Sequence, residues 1–259
     1  MNCGDALDWI ATKNPPQADE IEFSLFGKGR GECVVVHFGN GQWMVVDSCE
    51  AAAGRPVALE YFQVLGVNVA TQVRLIVASH YHSDHVAGMV ELLTNASSAS
   101  FVTSDAYSGE HFLQLVLGED SDLLTSQKSS GSIFARLMQI MADRVEAKEI
   151  AGPSLWASEG SLVYQDVASG VRVLALSPSA PVVTRSRTSI VKYLPKVGEP
   201  ERESRPIDPN DLSVALHVET TGPCLLLGGD LYRGANSQAG WQGVVSSRVL
   251  PARKCHLIK

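Results

Sequence analysis

The sequence predicts an α/β fold, and three observations carry that prediction. The run Val73-Arg74-Leu75-Ile76-Val77-Ala78 is apolar and β-branched, as a buried strand is, and Val86 to Leu93 follows with apolar residues at helical spacing. Two β-hairpins stand on either side of this unit in the chain, and each ends in an aspartate, Asp47 and Asp230. Helical patterns at Pro56 to Leu65 and Ile133 to Ala147 lie between the hairpins.

The strand-to-helix turn is the most informative stretch. Ser79-His80-Tyr81-His82-Ser83-Asp84-His85 carries three imidazoles and one carboxylate on a loop held by two rigid elements. Alternate side chains of an extended segment point the same way, so His80 and His82 can reach one metal ion together. The chain then turns, and Asp84 and His85 can point back toward a second ion. Imidazole and carboxylate suit zinc, and also manganese or iron. Against this stands the plain alternative of histidines that cluster by accident. In a chain with 7 histidines, this spacing makes a metal site the stronger reading.

In chain order, residues 1–20 are polar, run into Pro15-Pro16 and read as a lead-in, with a short helix around Ala6 to Ala11. The remainder, 21–259, reads as one domain. Glu22 to Phe26 alternates as a strand does, and Gly27 to Glu32 is a glycine turn. Cys33 to Phe38 and Gln42 to Asp47 form a hairpin around Gly39-Asn40-Gly41. The glycine turn opens no helix, so it offers no phosphate-binding helix N-terminus. Phe101 to Thr103 is a short strand. His111 to Val116 and Ile133 to Ala147 read as helices joined by a serine-rich loop at 125–132, with His111 an ordinary surface residue. Val171 to Leu176 is a strand.

Residues 183–210 show no periodicity and read as a long flexible loop, with Arg185, Arg187, Lys192, Lys196, Arg202 and Arg205 interleaved with acids. A solvated insertion and a flap presenting positive charge to an anionic substrate both fit. The loop would also be open to a trypsin-like protease. Asp211 to Val218 and Cys224 to Asp230 then form the second hairpin, with His217 as part of the sheet.

Composition narrows the function. A net charge of -7 argues against a broad footprint on nucleic acid and leaves room for a local basic groove. The 5 cysteines are scattered without a Cys-x-x-Cys pair, so they read as reduced thiols of a cytoplasmic protein and not as a disulfide framework or zinc knuckle. No leader peptide and no membrane-spanning run is evident.

The pattern His-x-His-x-Asp-His at His80 to His85, placed after a strand, resembles the signature of the metallo-β-lactamase superfamily. The resemblance extends over most of the chain and implies a four-layer αββα sandwich with the two hairpins in its two β-halves. It implies that Asp47 supports the metal-binding loop without binding metal, the alternative being a turn aspartate. It implies that Asp230, after Gly228-Gly229, bridges two metal ions. Most members carry a metal-binding histidine about twenty residues before that aspartate; here Asn210 stands there, with Ser213 after it. The Asn210-Asp211-Leu212-Ser213 start resembles the β-lactamase-like domain of the bacterial DNA-uptake (competence) channel and its soluble relatives, a group associated with phosphodiesterase or nuclease chemistry. That subgroup ends its site with a His-His-Gly-Ser run. The sequence here ends at Cys255-His256-Leu257-Ile258-Lys259, which resembles the strand before that run. The expectation is a domain lacking the final histidine-containing segment, with a weaker second metal position and His256 outside the site.

The functional expectation is therefore a metal-dependent hydrolase with one or two zinc ions and a phosphodiester or other small anionic substrate. His80, His82, Asp84, His85 and Asp230 would hold metal, and Asp84 would orient water and accept its proton. Asp47, Asn210 and Ser213 would support them. The alternative is a degenerate, non-catalytic or protease-activated component of a bacterial, for instance anti-phage, system with protein partners. A lactamase or glyoxalase-type hydrolase is a third reading, which Asn210 disfavours.

Overall fold

The computed structural model describes residues 14–27, 31–51, 54–109, 112, 130–147, 156–193 and 208–259. Outside these lie the expected helix at Ala6 to Ala11, the tip of the glycine turn, His111 with all but Phe112 of its expected helix, most of the serine-rich loop, and residues 194–207.

Two sheets form the centre. The first has six strands in chain order: β1 (Glu22–Phe26), β2 (Cys33–His37), β3 (Trp43–Val46), β4 (Val73–Ala78), β5 (Ser100–Ser104) and β6 (Trp156–Ala157). β1, β2 and β3 pair antiparallel; β3 to β6 pair parallel. The second sheet has five strands, β7 (Leu162–Asp166), β8 (Val171–Ala175), β9 (Leu216–Glu219), β10 (Cys224–Leu227) and β11 (Leu257–Ile258), in the order β11-β10-β9-β8-β7. β11 joins β10 parallel, and the other pairs are antiparallel.

The strand alternation dictates the layers. Val34, Val36, Met44, Val46, Leu75 and Val77 pack with Val171, Val173, Ala175, Leu216, Val218, Leu225 and Leu227, one face from each sheet. The opposite face of the first sheet, with Val35, Val45, Ile76 and Phe101, is covered by helices. These are α1 (Val57–Leu65), α4 (Met89–Asn95) and α5 (Ser130–Glu146), with the short α2 (Val69–Gln72) directly before β4 and α3 (Ser83–Val86) after the turn that follows it. The outer face of the second sheet packs Leu174 and Leu226 against Leu231, Trp241 and Val244, the last two on α7 (Gly240–Ser246). The result is helix, sheet, sheet, helix, the expected αββα sandwich.

Several elements differ from the sequence reading. Residues 183–193 are not loop: α6 spans Ala180–Tyr193. Val182, Val183, Ser186 and Ile190 are buried at helical spacing, while Thr184, Arg185, Arg187 and Thr188 face outward. The dense charges and β-branched residues hide this narrow stripe. Pro181, in the first turn, loses no hydrogen bond there. The second hairpin's first strand starts later than Asp211, because Pro209–Leu212 is a 3-10 turn and β9 begins at Leu216. β6, β7 and α7 are additional elements. Among the described residues, no helix is long and apolar enough to cross a membrane.

Candidate metal centre

The turn after β4 and the turn after β10 meet at one end of the two sheets. The Val214 amide donates to the Ser79 carbonyl at 2.9 Å and so ties the segment before β9 to the turn after β4. Gly229 has φ +52, and a Cβ there would stand 2.8 Å from Ser79 Oγ. Only glycine lets the Gly228-Gly229-Asp230 turn lie this close to Ser79.

Asp47 lies beneath this junction. It is fully buried, has φ 60, and follows β3 directly. Its Oδ1 accepts from the Ser79 amide at 2.7 Å, and its Oδ2 accepts from Ser79 Oγ at 2.7 Å and from His85 Nδ1 at 2.8 Å. The Ser79 hydroxyl has one proton, and Asp47 takes that bond. Ser79 Oγ is therefore left to accept from His80 Nδ1, 3.0 Å away. One carboxylate thus fixes the Nδ1 side of two imidazoles: both Nδ1 atoms carry protons, and both Nε2 atoms face the same space.

In that space His80 Nε2 accepts from His82 Nδ1 at 3.1 Å. His85 Nε2 is buried with no hydrogen-bond partner and stands 3.4 Å from Asp230 Oδ2. His80, His85 and Asp230 each offer a ligand atom, all within 4.8 Å of one another. The histidines are buried, and the Asp230 side chain is 42% exposed, so the group opens to solvent on the aspartate side.

The electrostatics follow from this layout. Burial, then the neighbouring His85 and His82, push the His80 imidazole down to about 2. At His85, burial also opposes charge, but the Asp47 hydrogen bond and charge, then Asp230 and Asp84, outweigh it and hold the imidazole at about 9. Several groups around His85 thus favour positive charge in this space.

The remaining candidates are placed as follows. Asp84 is half-buried on α3; its carboxylate acts on His85 through its charge, and its carbonyl accepts from the Glu32 amide at 3.2 Å. It is not among the residues that converge with Asp230. Ser213 is buried, with Oγ 3.4 Å from His80 Nδ1. Asn210 Nδ2 donates to Tyr232 Oη at 3.0 Å and, among the described residues, not to a histidine. His217 lies in β9, and His256 just before β11. Ser79 and Gly229 are the site residues that sequence reasoning passed over. The turn glycine beside a candidate ligand was the available signal for Gly229; Ser79 gave none.

No protein-family model and no curated protein matches the chain. Among solved structures it is similar to the MIM-2 metallo-beta-lactamase, at 12% identity and TM-score 0.41, over 88% of this chain and 67% of that one. It is also similar to a metallo-beta-lactamase from Cronobacter sakazakii solved as a HARLDQ-motif mutant, at 12% identity and TM-score 0.39, over 82% of this chain and 64% of that one. A third similar structure is a Thermotoga maritima protein described by the same family name, at 13% identity and TM-score 0.40, over 80% and 77% of the two chains. None of the three is described as part of a DNA-uptake channel.

Proposed function

We propose that this protein is a metal-dependent hydrolase whose ion is held by His80, His82, His85 and Asp230. The observation that carries the proposal is the convergence of His80, His85 and Asp230, with the buried His85 Nε2 making no hydrogen bond and standing 3.4 Å from Asp230 Oδ2. An orphaned buried nitrogen facing a carboxylate, with its tautomer fixed from behind, is the arrangement that a divalent cation completes. Imidazole and carboxylate donors fit zinc first, with manganese or iron also compatible. A bound divalent ion supplies two things here, polarisation of the scissile group and a lowered pKa for water, from about 15.7 toward about 7.

The protein's own residues do the rest. Asp47 and Ser79 hold the two imidazoles in place from behind, and an ion would replace the His82 Nδ1–H now bonded to His80 Nε2. Asp84, beside His85, orients the attacking water and takes its proton on a carboxylate oxygen. The exposed edge at Asp230 is where substrate enters. The substrate class is a phosphodiester or another small anionic ester, a reading supported by the resemblance at Asn210-Asp211-Leu212-Ser213.

The test is metal content and turnover of bis-p-nitrophenyl phosphate on the same samples, wild type beside Asp230→Ala. The expected result is one metal equivalent fewer in the variant, with turnover lost. Equal metal content and equal turnover in the two proteins would overturn the site. Metal loss in the variant with a wild type inert on phosphodiesters and esters would leave the ion as structural and the protein as a binding component.

A further inference from the structure

A second group of potential ligands lies on the other sheet. His217 on β9, Cys224 on β10 and Cys255 just before β11 each offer one ligand atom, all within 4.8 Å of one another. We infer that His217, Cys224 and Cys255 form a separate Cys2His site for a thiophilic metal ion, zinc first among them, which fastens β11 to the β9-β10 hairpin.

The register explains how three residues distant in sequence meet. Cys224 pairs with Glu219, and His217 pairs with Leu226, so His217 and Cys224 are diagonal neighbours on adjacent strands. β11 pairs with β10 through Leu225 and Leu257, and the His256 amide donates to the Cys224 carbonyl at 2.7 Å, so Cys255 lies one residue before the position opposite Cys224. His217 Nε2 stands 3.0 Å from Cys224 Sγ, and Cys224 Sγ stands 3.2 Å from Cys255 Sγ. Arg253 donates to the Thr220 carbonyl at 2.9 Å and also to the Gly222 carbonyl, so it positions the segment carrying Cys255 against the hairpin.

A second observation points to a ligand. His217 is 1% exposed, and its Nδ1 has no hydrogen-bond partner. The nearest carboxylate oxygen, Glu219 Oε1, stands 3.8 Å from that atom. A buried imidazole with Nε2 on a thiol and Nδ1 toward a carboxylate has the order of a carboxylate–histidine–metal triad. A Cys224–Cys255 disulfide would give His217 no role, and the sulfurs stand well beyond the ~2.05 Å of such a bond. Two thiolates and one imidazole suit zinc or another soft ion, with a fourth position for water on the half-buried Cys255 side. Each thiol gives up its proton to solvent as its metal–sulfur bond forms.

This site is independent of the proposed active centre, and the experiment separates them. The full-length protein, freshly reduced and metal-free, is titrated with Co(II) as wild type, as His80→Ala/Asp230→Ala, and as Cys255→Ser. Thiolate ligation gives a near-ultraviolet sulfur-to-cobalt charge-transfer band, which imidazole and carboxylate ligands cannot produce. The band is expected in wild type and undiminished in His80→Ala/Asp230→Ala. It should be strongly weakened in Cys255→Ser, and Zn(II) should bleach it. Cys255 is only half-buried, so its serine variant is expected to fold, and circular dichroism checks this. No such band in folded, reduced wild type would overturn the inference. So would a band that survives Cys255→Ser, or a mass 2 Da below the reduced chain in protein purified without reductant, which identifies a disulfide.

Discussion

Asp47 and Ser79 are joined twice, amide to Oδ1 and hydroxyl to Oδ2, both at 2.7 Å and both fully buried. This pair sits under the candidate metal centre and transmits its orientation to two histidines. Asp47→Asn is the sharpest probe. Asparagine tolerates the positive φ, so the backbone is spared, but its amide group cannot accept three hydrogen bonds at once. One of His85 Nδ1 and the two Ser79 donors must lose its acceptor. Metal affinity is expected to fall by about 10- to 100-fold, read by competition with a chromophoric chelator. Unchanged affinity would mean that the imidazoles need no support from behind.

The Gly229 approach to Ser79 gives a stability prediction. In Gly229→Ala the new Cβ would stand 2.8 Å from Ser79 Oγ and 2.9 Å from Ser79 Cβ, at φ +52. Overpacking and backbone strain together should cost about 2–4 kcal/mol, read by urea unfolding. Turnover should fall as well, because the displaced turn carries Asp230. Gly228→Ala offers an internal contrast. Its Cβ would meet the Trp241 ring at 2.2 Å, on the side of α7, so it should destabilise the fold with less effect on metal binding.

How legible the site was depends on the reach of each residue's partners. His80 to His85 could be read because the chemistry is packed into one turn between a β-branched strand and a helix. Asp47 and Asp230 could be placed because each ends a hairpin strand. Neither the Ser79 link nor the closeness of Gly229 is local, since the first joins the segments after β3 and β4, and the second needs the segments after β4 and β10 to meet, which happens only after the sheets pack. The helix Ala180–Tyr193 was missed for a different reason: its buried face holds Val182, Val183, Ser186 and Ile190, with a serine in the middle of the stripe. The meeting of His217, Cys224 and Cys255 was hidden too, because register brings them together and spacing does not.

Buried Arg144 gives a prediction away from the site. It lies on α5, and its guanidinium donates to the carbonyls of Ala99 and Leu93, so it satisfies the chain between α4 and β5. Arg144→Met keeps much of the stem and removes the donors. Leaving buried carbonyls without partners should cost about 2–3 kcal/mol in urea unfolding, while metal content stays at the wild-type level. A cost near zero would mean that water replaces the guanidinium.

His37 makes stability depend on pH. It is fully buried at the end of β2 and packs against Trp43, the rings tilted by 44° with centroids 4.7 Å apart. Its Nε2 accepts from the Gly41 amide at 3.1 Å, so Nδ1 carries the proton and donates to the Glu20 carbonyl at 2.8 Å. A second proton on Nε2 would face the Gly41 N–H. Burial pushes the imidazole below its ordinary 6.5; the Glu20 carbonyl and the charges of Glu22 and Glu20 pull the other way without restoring it. The unfolded chain therefore takes up this proton at a higher pH than the folded protein does. His37's contribution is full above 6.5 and declines as pH falls below that value toward the depressed one. Thermal melts of the metal-free protein between about pH 8 and about pH 5 should show Tm falling over the lower half of that range. In His37→Gln, which keeps an acceptor for Gly41 and a donor for Glu20 but cannot titrate, the fall should be shallower. Equal slopes in the two proteins would assign the acid sensitivity to other groups.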